Sequence, residues 1–217
     1  MVAMLEDDQP TRVPRANSSM FGESGFARAE NDFYETPAWC SEVLLDWYYF
    51  GVTPFIWEPA AGKGAITDVL MARSIACCTS DLIRYEDGPP GGGQDFLAFR
   101  APLFREVTAI VTNPPYLLAT EFVTHAIALM QPVRGIVAML LRHEWDCASS
   151  RTALFDREPF ACKLTLTKRP RWAKGDNGAP RFNFAWFIWD WTHEGPAVLR
   201  YGPNAPRRAG ARQGTLL

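Results

Sequence analysis

The sequence is poor in residues that bind metals or form disulfides. Its 217 residues include 3 histidines and 5 cysteines, and no two cysteines have the C-x-x-C spacing of zinc sites. The odd number of cysteines also argues against a disulfide scaffold. We therefore expect no metal, and we interpret the adjacent Cys77 and Cys78 as small core residues. A chain of this length can bury a full core without either aid.

The sequence also lacks a long apolar segment. No strictly apolar run is longer than residues 136–141, whereas a membrane-spanning helix needs about 20 apolar residues. The N-terminus carries Glu6, Asp7 and Asp8 and has neither the basic start nor the apolar stretch of a signal peptide. These absences predict a cytoplasmic protein with no membrane partner.

Lysine is scarce as well, with 4 lysines against 18 arginines, and the net charge of −2 conceals an uneven distribution. Residues 1–150 carry 10 basic and 19 acidic residues, a balance of −9, whereas residues 151–217 carry 12 and 5, a balance of +7. An arginine-rich end on an acidic body is typical of a surface that contacts phosphates. A solvated basic face followed by a tail gives the same composition and is the alternative.

Short apolar segments alternate with helical patterns through the middle of the chain. We predict strands at residues 54–57, 75–80, 108–112, 135–141, 163–167 and 184–191, and helices at 37–49, 65–73, 120–130 and 149–155. Thr36 is predicted to cap the first helix, with Pro37 at its first position. Strands that are apolar throughout indicate an α/β fold with a mostly parallel sheet and helices on both faces. The last two strands are predicted to form an antiparallel hairpin at one edge.

The two ends of the chain lack a sustained hydrophobic period. Residues 1–30 are polar and interrupted by proline and glycine, and residues 202–217 are rich in arginine, glycine and proline. We interpret them as a flexible N-terminal arm and a flexible C-terminal tail. Residues 31–201 are then a single domain.

A glycine-containing turn follows the first predicted strand and precedes a helix. It reads Glu58-Pro59-Ala60-Ala61-Gly62-Lys63-Gly64, and its glycines allow a tight turn and close approach of a ligand to the backbone. Asp81 ends the next strand, where a carboxylate can accept hydrogen bonds from ribose hydroxyls. The turn matches neither G-x-G-x-x-G nor a P-loop. A purely structural turn is the alternative.

Asp95 and Phe96 follow a glycine-rich loop at residues 88–93. An Asp that accepts from an exocyclic amine, next to a Phe that packs on a ring, would hold an adenine. The pair alone is a weak signal, and a loop Asp beside a core Phe is the alternative.

The most specific signal is Asn113-Pro114-Pro115-Tyr116 at the end of a buried strand. The two prolines end the strand and remove two backbone donors, which leaves the Asn113 side-chain oxygen and the Pro114 carbonyl as acceptors. Such acceptors can bind the hydrogens of a planar amino group and stabilise positive charge that develops on its nitrogen. Tyr116 offers a face on which a ring can stack. The pattern predicts a site that makes a poorly nucleophilic amine reactive.

Together these motifs resemble the class I S-adenosylmethionine-dependent amino-methyltransferases, and most closely the small DNA adenine-N6 methyltransferases of phages and prophages. The resemblance covers about residues 31–191 and includes a D/N/S-P-P-Y/F/W motif at Asn113 to Tyr116. It implies a Rossmann-like seven-stranded sheet with an antiparallel last strand. It also implies S-adenosylmethionine as cofactor and no metal.

The resemblance assigns a role to each motif. The segment at 32–37 would lie over the methionine end of the cofactor, the glycine turn would wrap the methionine moiety, Asp81 would bind the ribose, and Asp95 with Phe96 would hold the adenine. The implied catalytic residues are Asn113, Pro114, Pro115 and Tyr116. The implied cofactor-binding residues are Tyr34, Thr36, Pro37, Glu58, Pro59, Ala60, Gly62, Gly64, Asp81, Asp95, Phe96 and Asn113.

The sequence departs from the family in having no long insertion that could be a target-recognition domain, and in His143-Glu144-Trp145 after the fourth strand. Target contacts would then come from loops, from the basic loop at 168–183, or from a partner chain. This loop interleaves cations with aromatics, which suits phosphate contacts and base stacking. Its candidate nucleic-acid-binding residues are Lys168, Arg169, Arg171, Trp172, Lys174, Arg181 and Phe182.

We therefore expect an enzyme that methylates adenine N6 in DNA and that takes a flipped or single-stranded base. We interpret Trp172 and Phe182 first as loop or core residues, and packing on the target base, which the resemblance implies, is the alternative role. Methylation of RNA adenine or of a protein glutamine is an alternative activity, and a non-catalytic cofactor- or DNA-binding module is another. A homodimer is compatible with the sequence.

Overall fold

The computed structural model describes residues 34–172 and 182–202. Its strands are β1 (Phe55–Glu58), β2 (Ala76–Thr79), β3 (Ala109–Thr112), β4 (Ile136–Arg142), β5 (Phe160–Leu166), β6 (Phe184–Asp190) and β7 (Val198–Gly202). Its α-helices are α1 (Ala38–Trp47), α2 (Ala65–Ala72), α3 (Ala119–Met130) and α4 (Ala153–Asp156). The predicted arm and, apart from Gly202, the predicted tail lie outside the described residues.

The strands form one sheet in the order β2-β1-β3-β4-β6-β5-β7. The strands β1 to β4 pair in parallel, β6 runs antiparallel to both β4 and β5, and β7 is parallel to β5. The predicted mostly parallel sheet and the antiparallel pairing of the 163–167 and 184–191 segments are confirmed. The antiparallel strand is β6, and one further strand follows it in the chain.

That further strand, β7, was not predicted from the sequence. It lies at the edge of the sheet, where Leu199 and Tyr201 are exposed. An edge strand needs no continuous apolar run, because one side of its backbone and much of its side-chain surface face solvent. Its residues therefore carry little pattern from which a strand could be predicted.

The sheet is covered on both faces, and β4 shows how its residues divide between them. Side chains alternate across a strand. Accordingly, Ile136, Ala138 and Leu140 pack in a core with residues of α1 and α2. Val137, Met139 and Leu141 pack with residues of α3 on the opposite face. The continuous apolar run thus marks a strand that is buried on both faces, as predicted.

Two local predictions were wrong. Thr36 does not cap α1: the N-cap residue is Pro37, and α1 has no side-chain cap. The hydroxyl oxygen of Thr36 instead accepts a hydrogen bond from Asn113. The helix predicted at 149–155 is a 3₁₀ helix, Ser149–Arg151, followed by the single turn of α4.

In the part of the chain that the structure describes, no helix combines the length and the apolar character that crossing a bilayer requires.

Candidate functional site

A cavity of 560 Å³ opens at the carboxyl ends of the first three strands. The chain leaves β1 toward β2 on one side and later enters β3 on the other side of β1, so the order of connections reverses between β1 and β3. Such a reversal leaves a crevice in which α/β proteins bind ligands. The cavity is lined by residues from the segment before α1, the β1–α2 loop, the segments after β2 and β3, and the start of α3.

The glycine turn between β1 and α2 requires glycine at two positions. Gly62 and Gly64 have φ values of 54° and 92°, in the left-handed region that other residues adopt at a cost. Gly64 is the N-cap of α2. The Gly62 N–H donates to Asp81 Oδ2 at 2.7 Å. The turn is therefore tied to the end of the neighbouring strand.

Asp81 holds two backbone amides. Its Oδ2 accepts from Gly62, and its Oδ1 accepts from the Ile83 N–H at 2.7 Å. A carboxylate has about four acceptor positions, so two such bonds leave capacity for a ligand. Asp81 thus fixes the loop after β1 and the loop after β2. Because it also lines the cavity, it can contribute an acceptor to a ligand there.

Glu58 is a buried acid at the base of the same turn, only 2% exposed. Burial raises the pKa of its carboxyl to about 8, although the hydrogen bonds from Thr67 act in the opposite direction. The carboxyl therefore keeps its proton at neutral pH unless a cation comes close to it.

The charges around the cavity are mainly acidic. Among the described residues that line it, three acidic side chains besides the protonated Glu58 accompany one cationic side chain, Lys63, whose Nζ lies 2.8 Å from Asp87 Oδ2. The three are Glu35, Asp81 and Asp95. Such a cavity favours a ligand with positive charge and disfavours one with several phosphates.

The predicted adenine-binding pair has two different environments. Phe96 is 2% exposed, and its ring packs against Trp57 and Phe122 at centroid distances of 5.3 and 4.9 Å. Asp95 is exposed and caps the 3₁₀ helix Phe96–Ala98 by accepting from the Leu97 N–H at 2.9 Å. Both residues line the cavity, so the core position of Phe96 and a contact with a ligand are compatible.

Asn113, directly after β3, has its amide held at one end. Its Nδ2 donates to the Tyr34 carbonyl oxygen at 3.3 Å and to Thr36 Oγ1 at 3.1 Å. Its Oδ1 is buried and has no hydrogen-bond partner among the described residues. A buried acceptor without a partner is costly and rare. Asn113 is also one of the residues that line the cavity, and a donor that reached this oxygen would supply the missing hydrogen bond.

An aromatic cluster lies beside Asn113 and is made of Tyr34, Tyr116, Trp172 and Phe184. Tyr116 stacks on Tyr34 at 6.2 Å and lies 5.7 Å from Phe184, and Trp172 packs edge-on against Phe184 at 4.8 Å. Residues from four distant parts of the sequence meet here. The cluster can accept a flat ring next to the Asn113 oxygen.

Most of the predicted site residues line the cavity. These are Tyr34, Thr36, Glu58, Pro59, Ala60, Gly62, Asp81, Asp95, Phe96, Asn113 and Pro115. Pro37, Gly64, Pro114 and Tyr116 do not line it, and Tyr116 belongs to the aromatic cluster. Several lining residues that follow strand ends were not predicted from the sequence, among them Leu82, Ile83, Leu117 and Leu118. Their position directly after Asp81 and Tyr116 was the signal that could have identified them.

The structure brings one part of the predicted nucleic-acid-binding set next to this site. Trp172 joins the aromatic cluster, whereas Phe182 lies under the Arg142 guanidinium, whose Cζ is 3.7 Å from the ring centroid. Arg169 Nε donates to Asn183 Oδ1 at 2.9 Å, and Lys168 Nζ lies 5.5 Å from the Trp39 ring. Lys168, Arg169 and Arg171 are exposed. Lys174 and Arg181 lie outside the described residues.

Within residues 34–172 and 182–202, no group of three or more His, Cys, Asp or Glu side chains is placed so that it could hold a metal ion.

No protein-family model matches the sequence, and no curated protein matches it significantly. Among solved structures, the chain is similar to the methyltransferase subunit of a type I restriction-modification system from Streptococcus thermophilus. The TM-score is 0.51 at 11% identity, over 74% of this chain and 45% of that one.

Two further structures match less closely. A chain from Listeria monocytogenes assigned to the class I S-adenosylmethionine-dependent methyltransferases has a TM-score of 0.49 at 12% identity, over 76% of this chain and 62% of that one. A dimethyladenosine transferase from Plasmodium falciparum has a TM-score of 0.43 at 12% identity, over 73% and 62%. The chain thus spans about half to two thirds of the length of these proteins. At such identities the first likeness establishes a shared Rossmann-like fold.

Proposed function

We propose that this chain transfers a methyl group from S-adenosylmethionine to the N6 amine of adenine in DNA. The observation that carries the proposal is the Asn113 side-chain oxygen, which is buried and has no partner among the described residues. Asn113 lines the cavity, and its NH₂ group donates to the carbonyl of Tyr34, a member of the aromatic cluster. An acceptor in that position matches an amine whose ring stacks on the cluster and whose nitrogen points toward the cavity.

The acceptor addresses the main chemical difficulty of the reaction. The lone pair of an aromatic amine is delocalised into its ring, so the nitrogen is a weak nucleophile. A hydrogen bond from the amine to Asn113 Oδ1 would draw the nitrogen out of conjugation and stabilise the positive charge that develops as the new N–C bond forms. The methyl–sulfur bond would break in the same step and leave the cofactor as a neutral thioether. Pro114 and Pro115 have no backbone N–H, so they add no donors next to Asn113, where the amine needs acceptors. The proton that the nitrogen then loses passes to water.

The cavity fits the cofactor by charge. S-adenosylmethionine supplies an electrophilic methyl group on a positively charged sulfur. Its amino group is also positive and its carboxylate is negative, so the cofactor as a whole carries one positive charge. Acidic residues line the cavity, and its lysine is engaged by Asp87. We assign the glycine turn and Glu58 to the methionine end, Asp81 to the ribose hydroxyls, and Asp95 with Phe96 to the adenine. Thr36 and Pro37 belong to the segment that borders this site.

The aromatic cluster and the exposed cations favour a nucleic acid over a protein glutamine. A glutamine side chain has no ring to stack on Tyr116 or Trp172, whereas a base that is flipped or single-stranded does. Lys168, Arg169 and Arg171 precede Trp172 directly and are exposed, so they are placed to contact phosphates on either side of such a base. We propose DNA rather than RNA because the resemblance of the motifs is closest to DNA adenine methyltransferases.

The first experiment uses S-adenosylmethionine with a labelled methyl group. The protein is incubated in parallel with unmethylated duplex DNA, single-stranded DNA, RNA and a mixture of proteins, and the labelled product is digested and identified. We expect labelled N6-methyladenine from DNA, and about a hundredfold less or lower still when Asn113→Ala replaces the natural chain. Labelled RNA or labelled glutamine would show that the protein methylates that alternative substrate and not DNA.

A further outcome would support a different class of function. If the protein binds S-adenosylmethionine and DNA but labels none of the four substrates, the non-catalytic module is the better description. Such a module would bind DNA equally well with and without the cofactor.

A further inference from the structure

We infer that the segment before α1 sets the direction of the Asn113 amide, and that Thr36 is a positioning residue for methyl transfer. The inference rests on the proposed function, because it concerns the oxygen that receives the target amine. Its basis is the pair of hydrogen bonds from Asn113 Nδ2 to the Tyr34 carbonyl and to Thr36 Oγ1.

An asparagine amide has two ends of similar size and opposite hydrogen-bonding character. Rotation by half a turn would exchange the oxygen and the NH₂ group at nearly equal steric cost. The reversed amide would present two donors to an incoming amine, which itself carries donors. The site is functional only if a neighbouring group selects one direction.

The Tyr34 carbonyl makes that selection, since a carbonyl oxygen can only accept. It therefore requires the NH₂ end of Asn113, at 3.3 Å. A hydroxyl alone could not choose, because it can accept from the NH₂ group or donate to the oxygen with equal ease. The Thr36 hydroxyl adds a second acceptor for the same NH₂ group at 3.1 Å and so strengthens the choice.

The placement of Thr36 indicates that this contact is its main use. Thr36 is 5% exposed, and the residue that begins α1 is Pro37, without a side-chain cap. The hydroxyl predicted to cap the helix is thus turned to Asn113, from which it is separated by 77 positions in the sequence. Pro37 restricts Thr36 to extended backbone conformations, so the hydroxyl is presented from a rigid position.

A competing explanation is that Thr36 contacts the cofactor, because it also lines the cavity. The two roles differ in what they change. A cofactor contact affects the dissociation constant of S-adenosylmethionine, whereas a positioning role affects kcat and the Asn113 amide itself.

The test compares Thr36→Val, which keeps the shape but removes the hydroxyl, with Thr36→Ser, which keeps the hydroxyl. We expect Thr36→Val to lower kcat about tenfold, the effect of one lost hydrogen bond. Thr36→Ser should stay within about twofold of the natural chain, and all three proteins should bind S-adenosylmethionine with similar dissociation constants by calorimetry. Thermal unfolding confirms that each variant is folded.

A second readout needs no turnover. The Asn113 side-chain NH₂ group is observed by ¹⁵N NMR and assigned from the signals that disappear in Asn113→Asp. In the natural chain and in Thr36→Ser, we expect both amide protons to exchange slowly. In Thr36→Val, one of them should shift and exchange faster, because its acceptor is gone.

Unchanged amide signals in Thr36→Val, or full kcat in that variant, would overturn the inference. Equal losses of cofactor affinity in the Val and Ser variants would do the same, since these would indicate a role in packing or cofactor contact. If the natural chain methylates no substrate, the proposed function fails, and the NMR comparison still decides whether Thr36 orients the amide.

Discussion

Two loops at neighbouring strand ends of this protein use opposite hydrogen-bonding chemistry. The donor loop, residues 58–64 after β1, contains glycines with positive φ and directs its Gly62 N–H to Asp81. The acceptor loop, residues 113–116 after β3, contains two prolines, which have no N–H, and ends its strand in an unpartnered buried oxygen. Their strands are adjacent in the sheet, so the two loops border one cavity from two sides.

The difference shows that backbone composition can assign two tasks within one site. Glycine permits close approach and supplies donors, which suits the binding of a ligand's body. Proline removes backbone N–H donors and stiffens the chain. This suits the activation of an amine, because an amine donates hydrogen bonds and needs acceptors around it. If this division is correct, changes in the acceptor loop should affect turnover, whereas changes in the donor loop should affect cofactor binding and stability.

The largest expected effect is that of Asn113→Ala in the acceptor loop. Removal of one preorganised group that stabilises developing charge typically lowers kcat by about 10²–10³-fold. We expect a loss of this size with little change in S-adenosylmethionine affinity, measured by single-turnover kinetics and calorimetry. If Asn113→Ala instead lost cofactor affinity and kept its kcat, Asn113 would be a cofactor-binding residue. The proposed division of tasks between the two loops would then be wrong.

A smaller effect is expected from pH through Glu58, the first residue of the donor loop. Its pKa is about 8 in the folded protein and raised from 4.5 by burial. Between these values the folded state holds a proton that the unfolded state has released, so stability should fall as pH rises from about 5 to 8 and level off above 8. The free energy of unfolding should fall by on the order of 1.4 kcal/mol for each pH unit within this range.

Denaturant unfolding of the natural chain and of Glu58→Gln at pH 5, 6.5 and 8 measures this. The glutamine variant should lose most of the pH dependence, because it cannot ionise. Bound S-adenosylmethionine should reduce the dependence in the natural chain, since a nearby cation favours the charged carboxyl. Identical pH profiles for the two proteins would show that Glu58 is not the group responsible.

Gly64→Ala in the donor loop should cost about 1–2 kcal/mol of stability, the price of a left-handed backbone for a residue with a Cβ atom. Gly195→Ala is a matched control, because Gly195 has a similar φ of 98° and no atom near its added Cβ. Thermal unfolding should show a loss for both variants, and a larger one for Gly64→Ala because its added Cβ would lie 3.3 Å from Pro89 Cδ. Only Gly64→Ala should weaken cofactor binding. If Gly64→Ala and Gly195→Ala bound the cofactor equally well, the turn at Gly64 would have a structural role and no role in cofactor binding.

The smallest effect is expected from Arg169 and Arg171, the exposed cations that precede Trp172 in the aromatic cluster. In the double variant Arg169→Ala and Arg171→Ala, the slope of log affinity against log salt should fall by up to about 2, close to one unit per lost phosphate contact. Arg73→Ala with Arg105→Ala removes the same charge from the segments that precede the amino ends of β2 and β3, whereas the cavity lies at the carboxyl ends of these strands. If the slope fell equally in the control, DNA binding would depend on net charge. Arg169 and Arg171 would then not be part of a specific DNA-binding surface.

Much of the fold was predictable because the interior strands are buried on both faces. Strand β4 and the antiparallel β6 carry continuous apolar runs, and such runs leave a strong signal in the sequence. Strand β7 carries no such signal, since its exposed edge position puts little constraint on residue type. The helix at 149–155 was overestimated because local composition does not reveal that a 3₁₀ turn begins it.

The sequence by itself determined which chemical groups stand at the strand ends: glycines after β1, Asp81 after β2, and Asn113 with two prolines after β3. These assignments are local, because each motif follows directly from the strand that carries it. The tertiary structure alone decided the direction of the Asn113 amide, the use of the Thr36 hydroxyl, and the meeting of Tyr34, Tyr116, Trp172 and Phe184. Hydrogen bonds and ring contacts between residues far apart in the chain depend on how helices and strands pack, and no spacing within the sequence specifies that packing.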